Sequence, residues 1–551
     1  MHSSLPFPRI EDKSAEISPE LPEFKSSSVS TLSGKIYGFS PEAAEKFTCS
    51  LSNSDPSPRL HAGILLEDKE ELLLEGRDSL LLCRGQMTAI ALLHCRNITV
   101  KDLTVDWDIP LTAEGTVLAS CDTYTDVSVD PIKYPHHIEG NALFFDGPGW
   151  SQQLHQWGHT EFDPAARCLA RNRGDRFPPT TQQELRPGVI RFSGDFRDRR
   201  PTPGNILVLR HGDRIHPAIL IHDCENIRLQ NVRIHCSGGL GILAQFSDTL
   251  QFSGVQLVPN GQAGRQFAGC HDDGIHLSAD RGEILIENCS FLGLMDDPVN
   301  LHGIAAKATM QPKGDTFRGK FMHPQSRGHL LWARPGDQVA LLNGDTMEEM
   351  ETLTVKNFRL LDDENFEIQF TSLISQSCSS FSLENISNAA SLICRHNHFG
   401  SCRARGLLVC TPKPVLIEDN FFESPGAAIR IPGDVCTWYE SGRCRDVTIH
   451  NNIFSDTCLS NVYQGGQGIL SISPELPRPE ADHPCHENIS ITRNHFHVSD
   501  PRVLYGLCVK NLRFTDNEIQ KSPLYEEDCP PRFTLEHCTD AVIQDNLFLG
   551  F

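Results

Sequence analysis

The sequence predicts an all-β chain, a right-handed parallel β-helix with two small β-barrel-like insertions. Three observations point there. A strand–turn unit recurs along the chain at irregular spacing. Each copy alternates apolar and polar residues, the mark of a strand with one buried face. The 551 residues include 41 Gly and 35 Pro but only 7% aromatics, a composition that favours turns. Variable loops on a regular stack suit a β-helix better than a propeller, whose blades need four strands each, and better than an ordinary β-sandwich.

Taken in order, residues 1–35 are rich in Ser, Pro and Glu and are expected to be poorly ordered. Residues 36–114 form the first coils, with an early repeat at Asn97-Ile-Thr-Val-Lys-Asp-Leu-Thr-Val105. Residues 115–215 break the repeat with Gly-Pro, Pro-Pro and Arg-rich segments and read as a β insertion. The repeat resumes over 216–303, with Asn226-Ile-Arg-Leu-Gln-Asn-Val-Arg-Ile234 and Ile284-Leu-Ile-Glu-Asn-Cys-Ser-Phe291. Residues 304–380 form a second, barrel-like insertion beside the Asp296–Gly303 motif. Residues 381–551 form the last coils, marked by Asn397, Asn420, Asn452, Asn494, Asn517 and Asn546 at intervals of 23 to 42 residues. Asparagine tolerates the left-handed turn conformation and can bond to its neighbours in a stacked ladder, so both are expected of these six.

Charge narrows the partners. Lys and Arg number 49 against 71 Asp and Glu, a net charge of −22, which opposes nucleic acid or an anionic membrane as partner. No run of about 20 apolar residues exists, so no membrane span is expected. Met1 to Phe24 show no basic start followed by an apolar run, so no secretory leader is expected. The compartment stays open between the cytoplasm and, with a leader removed, the periplasm or exterior. A homo-oligomer is compatible with the sequence. The 20 cysteines are scattered through strand patterns, as at Cys289, Cys394, Cys444 and Cys538, with no Cys-x-x-Cys pair. They read as buried thiols acting as small hydrophobes, not as a disulfide framework or zinc site.

Three carboxylates concentrate in one region. Asp273 lies in Cys270-His-Asp-Asp-Gly-Ile-His276, and Asp296 and Asp297 lie in Leu294-Met-Asp-Asp-Pro-Val-Asn-Leu-His-Gly303. Asp273 and Asp297 are 24 residues apart, roughly one coil. Equivalent positions of neighbouring coils stack about 4.8 Å apart. Clustered carboxylates repel and desolvate one another, so a chain rarely keeps them without a cation or a chemical use. Adjacent strand residues point to opposite faces, but Pro298 forces a bend that can bring Asp296 and Asp297 onto one water.

From Ile36 to Phe551 the chain resembles family 110 of the glycoside hydrolases. The resemblance rests on Ile36-Tyr-Gly-Phe39, Ser52-Asn-Ser-Asp55, Leu103-Thr-Val-Asp-Trp-Asp108, Asp273 to Gly303, Arg403-Ala-Arg-Gly-Leu-Leu408 and Gly433-Asp-Val-Cys-Thr-Trp-Tyr-Glu-Ser-Gly442. It implies a parallel β-helix with barrel-like insertions. It also implies inverting hydrolysis of terminal α-1,3-linked galactose from oligosaccharides or glycans, blood-group B or linear, without cofactor or metal. The family's acids map onto Asp273, Asp296 and Asp297.

Inversion needs one acid for the leaving oxygen and one base for the water, with carboxyls about 6.5–9.5 Å apart. Asp296 and Asp297 are read as the base or water-positioning pair, and Asp273 as acid or substrate ligand, more than about 6 Å across from them. Glu440 is the rival acid. Substrate contacts are assigned to Asp272, His276, Asn300, His302, Arg403, Arg405, Trp438 and Tyr439. Several have a structural alternative: a rim or turn role for Asp272, satisfied inner-face histidines, solvated arginines, and ordinary surface aromatics. Two other classes compete. A Ca²⁺-dependent β-helix lyase would place its cation on these acids, and a β-helix adhesin would not need them.

Overall fold

The computed structural model describes residues 21–55, 59–156, 158–171, 174, 178–267, 269–309, 313–376, 380–461, 466–523 and 529–551. Short strands recur coil after coil and build two long sheets, of 21 and 12 strands among the described residues. Pairing is parallel throughout the larger sheet and from Leu60–Glu67 onward in the smaller one. Strand alternation shows directly in burial. In Glu225–Ile234, Ile227, Leu229, Val232 and Ile234 face the interior while Arg228 is exposed. The buried positions align from coil to coil: Ile227, Leu250, Ile284, Leu392, Val415, Val447, Ile489 and Leu512 pair successively in register. A second interior column stacks Phe291, Phe399, Phe422, Phe454 and Phe496 at ring separations of 4.5–5.2 Å.

The repeat asparagines form the expected ladder. Each amide donates to the next side-chain oxygen from Asn397 through Asn420, Asn452, Asn494 and Asn517 to Asn546, at 2.9–3.1 Å. The conformational expectation needs correction. The left-handed residue is the one before each ladder asparagine: His396, Asp419, Asn451, Arg493, Asp516 and Asp545 have φ of 54–59°. That residue makes the corner and turns the following side chain inward, where Asn452 and Asn494 are fully buried and must find all their partners inside. Every described cysteine is free, and Cys289, Cys394 and Cys444 lie in the main core as small apolar groups.

Two modules leave the stack. The first is a seven-stranded antiparallel sheet between Thr112 and Arg210 with a three-stranded sheet, His136–Gln153, beside it. The second is a closed six-stranded barrel whose last strand, Phe381–Asn385, pairs with both Ala305–Lys307 and Val339–Asn343. Closure therefore needs residues beyond 380. At the N-terminus, residues 1–20 lie outside the described residues. The expected disorder does not extend to residue 35, because Ser28–Thr31 pairs in parallel with Leu72–Glu75 and Leu32 is fully buried. No helix among the described residues is long and apolar enough to cross a membrane.

Asn452→Leu removes a rung whose amide also donates to the Ile417 and His450 carbonyls. It should destabilise the fold by about 2–4 kcal/mol, since a buried acceptor left unpaired costs about 1–3 kcal/mol. A urea-denaturation midpoint unchanged from wild type would remove the ladder from the stabilising interactions.

Candidate active site

A cavity of about 500 Å³ opens on the twelve-stranded sheet. Its floor comes from strands with an apolar–polar–apolar centre, such as Val299-Asn300-Leu301 and Ile429-Arg430-Ile431. The apolar residues face the core and the middle residue faces out. His276, Asn300, Leu408 and Arg430 occupy one register position in four successive strands. Walls come from the end of the first module (Arg210, Gly212 to Arg214), the barrel (Gln325), the early segment Asn53–Asp55 and the loop Asp434–Glu440.

The three acids meet here. Asp296 and Asp297 lie in the bend before Pro298. Asp273 sits one coil away from Asp297, with the Gly274 N–H donating to the Asp297 carbonyl at 2.8 Å. Only glycine fits at 274, because a Cβ there would lie 2.5 Å from the Pro298 carbonyl oxygen. One oxygen from each of Asp273, Asp296 and Asp297 lies within 4.8 Å of the other two. Asp273 therefore belongs to the same cluster as the pair and does not stand more than 6 Å across from it, because coil stacking sets the separation.

Each acid has its own partner. Asp297 accepts the Arg405 main-chain N–H at 2.9 Å and its guanidinium at 2.7 Å. Arg403 stands 3.5 Å from Asp296 and donates to the Met295 carbonyl. Asp273 Oδ2 lies 2.6 Å from His276 Nδ1. Asp272 contacts Arg210 at 2.8 Å, His271 at 2.8 Å and Arg214 at 3.5 Å.

Burial pushes the Asp273 and Asp297 carboxyls up; Asp296 reinforces both, Asp272 adds to Asp273 and Asp273 to Asp297, while Arg214 pulls Asp273 back and Arg405 pulls back both, Asp297 most. Burial also opposes ionisation of Asp272, but Arg214, His271 and Arg210 outweigh it and hold that carboxyl well below the usual range. For Glu440 burial is likewise overcome, by His302, His276 and a 2.6 Å hydrogen bond from Asn53, and its carboxyl is lowered.

Of the residues expected to touch substrate, Asp272, Asn300, Arg403, Arg405 and Trp438 line the cavity, as does Glu440. Trp438 stacks on His323 of the barrel at 4.3 Å. His276 and His302 stand behind Asp273 instead, fully buried and 2.9 Å apart through their Nε2 atoms. Tyr439 is also displaced from the expected place. It turns away into an apolar cluster with Ala305, Leu342 and Met347, because the backbone reverses at Tyr439 and Ser441, both left-handed at φ 61° and 56°. Asp434 holds that loop by accepting the N–H groups of Cys436, Thr437 and Trp438.

Arg210, Arg214 and Arg430 line the cavity without having been singled out from the sequence, and Asn53, marked only as part of the Ser52–Asp55 motif, joins them. Arg430 alone carries a legible signal, a charge centred between Ile429 and Ile431. The oxygens of Asp273, Asp296 and Asp297 could meet a cation geometrically, but Arg403 and Arg405 already supply positive charge to two of them. The donor set thus fits a guanidinium-balanced acid cluster better than a Ca²⁺ site.

The sequence models of GLAA-B beta-barrel domain I and domain II match residues 113–207 and 316–380, the two modules that leave the stack. The chain is 38% identical to alpha-1,3-galactosidase B of Bacteroides thetaiotaomicron over 94% of its own length and 85% of that protein's. It is 31% identical to alpha-1,3-galactosidase A of Bacteroides fragilis, covering 93% and 86%. It is 30% identical to alpha-1,3-galactosidase B of Akkermansia muciniphila, covering 93% and 64%. Identities of 38% and 31% over more than nine-tenths of its length, with both barrel modules matched, place the chain in the α-1,3-galactosidase family, family 110 of the glycoside hydrolases.

Proposed function

We propose that the chain hydrolyses the bond to a terminal α-1,3-linked galactose of an oligosaccharide or glycan, blood-group B or linear, in one displacement with inversion. The observation that carries this reading is the stacking of Asp273 on Asp297 in successive coils, with Asp296 beside them. The names of the relatives support the substrate.

Two stacked carboxyls can accept both hydrogens of one water. Asp297 takes the proton as the water attacks the anomeric carbon, and Asp273 accepts the second hydrogen and orients it. Asp296 gives a proton to the glycosidic oxygen. One Asp296 oxygen lies within 4.8 Å of one on Asp297, closer than the usual inverting separation, so the water is held by Asp273 and Asp297 and not in a gap between acid and base. The glycosidic oxygen faces the rest of the glycan and therefore the open side of the cavity, and the Asp296 side chain is 24% exposed against 5% for Asp273 and 2% for Asp297. This assignment exchanges the roles that the sequence suggested for Asp273 and Asp296. Carboxyls this close cannot all ionise at neutral pH, so a proton is available to the group and its titration belongs to the cluster. After cleavage Asp297 holds a proton and Asp296 lacks one, and their proximity lets the site reset by transfer between them. Glu440, held ionised, suits acceptance of galactose hydroxyls better than proton donation. The lyase alternative is disfavoured by the guanidinium groups on the acids, and an adhesin has no need of the buried cluster.

Asp297→Asn and Asp296→Asn are isosteric and should leave the stack folded while lowering turnover on linear α-1,3-digalactoside or B trisaccharide by roughly 10²–10⁴. The two should separate on an aryl α-galactoside with an acidic phenol. Asp296→Asn regains much of its rate there, because the leaving group needs no acid, and Asp297→Asn does not. Equal loss on all substrates would refute the assignment of Asp296. Excess EDTA should leave the rate unchanged.

The raised Asp297 carboxyl also sets a pH expectation. A base works only when ionised, so the acidic limb of kcat/KM should lie above pH 4, the ordinary carboxylate range. A limb at or below pH 4 would show that another group is the base.

A further inference from the structure

Behind Asp273 runs a hydrogen-bonded chain that the reaction as described does not use. His302 Nδ1 contacts the Gly303 carbonyl, His302 Nε2 meets His276 Nε2 at 2.9 Å, and His276 Nδ1 meets Asp273 Oδ2 at 2.6 Å. All three side chains are buried. With both imidazoles neutral, counting protons along this chain fixes its direction. A carbonyl oxygen only accepts, so His302 Nδ1 carries a hydrogen. Neutral His302 then presents a bare Nε2, and His276 must donate from its own Nε2. Neutral His276 is left with a bare Nδ1, which can bond to Asp273 only if Asp273 brings the proton.

We propose that His276 and His302 are positioning residues that keep a proton on Asp273 Oδ2, turned into the protein, so that Oδ1 meets the attacking water as a bare acceptor. The inference rests on the reading of Asp273 as the partner of Asp297.

The charges around the chain agree. Asp297 and Asp296 have Arg405 and Arg403 beside them, whereas the hydrogen-bond partner of Asp273 is a histidine and burial, Asp296 and Asp272 outweigh Arg214 and Arg405 to favour its protonated form. A proton on Asp273 removes one of two stacked negative charges, as in carboxyl dyads that share a proton. His276 faces His302, Glu440, Arg214 and Asp296 besides Asp273, and burial holds its imidazole well below the usual range, in the neutral form. Glu440 lies 3.8 Å from His302 Nε2, and the lowering of its carboxyl by His302 and His276 draws on positive charge at those rings, which opposes the neutral chain. It marks the competing state, in which His302 is an imidazolium, His276 is reversed and Asp273 is ionised.

Two measurements separate these states. With histidines labelled in ¹⁵N, and His276→Gln used to assign the signal, NMR of the wild-type protein should show His276 neutral, protonated at Nε2 and bare at Nδ1. This arm needs no substrate, so it stands whether or not the chain releases galactose. A proton at Nδ1, or an imidazolium, overturns the proposal.

The second arm is the pH profile of kcat/KM. His302→Phe removes the acceptor that orients His276, so His276 can turn its N–H to Asp273 and favour the ionised carboxylate. The alkaline limb should move down by about one pH unit or more, and His302→Gln, which restores an acceptor oxygen, should return it to the wild-type position. An unmoved limb in His302→Phe, or the same shift in both variants, overturns the proposal, because a purely structural role would lower the rate without that pattern.

Discussion

The main-chain hydrogen bonds between neighbouring coils are the constraint on which the rest of the structure depends. The Gly241 N–H donates to the Asp273 carbonyl at 2.7 Å, and the Gly274 N–H donates to the Asp297 carbonyl at 2.8 Å. These bonds set one strand spacing between Asp273 and Asp297, at positions that the sequence separates by 24 residues. Because side chains in a coil cannot slip without breaking the apolar columns beneath them, the two carboxyls are held in place by the entire stack. The glycine between them matters for the same reason, since any side chain at 274 would push the coils apart. A rigid scaffold of this kind presents reacting groups without any cost of ordering at the moment of reaction.

Such proximity is electrostatically expensive, and the neighbouring coils supply the compensation. Arg405 comes from the coil that follows Asp297, and Arg403 from the same turn. Arg210, at the end of the antiparallel module, reaches Asp272 and the His271 carbonyl. The module is thereby tied to the acid cluster by a buried ion pair. Breaking a buried pair by removing one partner leaves an uncompensated charge, typically at a cost of several kcal/mol. The charged groups around the site therefore serve two ends at once: they hold the modules against the helix and set which carboxyls are ionised.

Much of the architecture was legible because period-two alternation and the asparagine repeat report directly on strands and corners. The ladder itself was readable from Asn397 to Asn546. The residue that turns each corner was only partly legible: Asp419, Asn451, Asp516 and Asp545 are of the types that tolerate a left-handed backbone, but His396 and Arg493 carry no such mark, and the adjoining ladder asparagine drew the assignment to itself. The three acids stood out through their motif and one-coil spacing. Their mutual geometry was misjudged because an acid–base distance taken from reaction chemistry was applied to residues whose separation the coils dictate. Tyr439 and Trp438 are neighbours of like composition, yet a backbone reversal sends one into the core and leaves the other on the cavity wall. His276 and His302 were visible as residues near the acids but not as a second layer, since their role depends on which ring nitrogen meets which partner. Arg210 and Asn53 are distant in sequence from everything they touch in the site; the Ser52–Asp55 motif marked Asn53 but not its contact with Glu440, and no local pattern announced that of Arg210 with Asp272.

The central claim is that one water, held by Asp273 and Asp297, attacks the anomeric carbon directly. The anomer released first tests it. Proton NMR of galactose, recorded within the first minutes of hydrolysis of linear α-1,3-digalactoside or B trisaccharide and before mutarotation, should show β-galactose as the initial product. The α anomer appearing first would mean that a carboxylate and not water makes the first bond to the sugar, and the claim would fall.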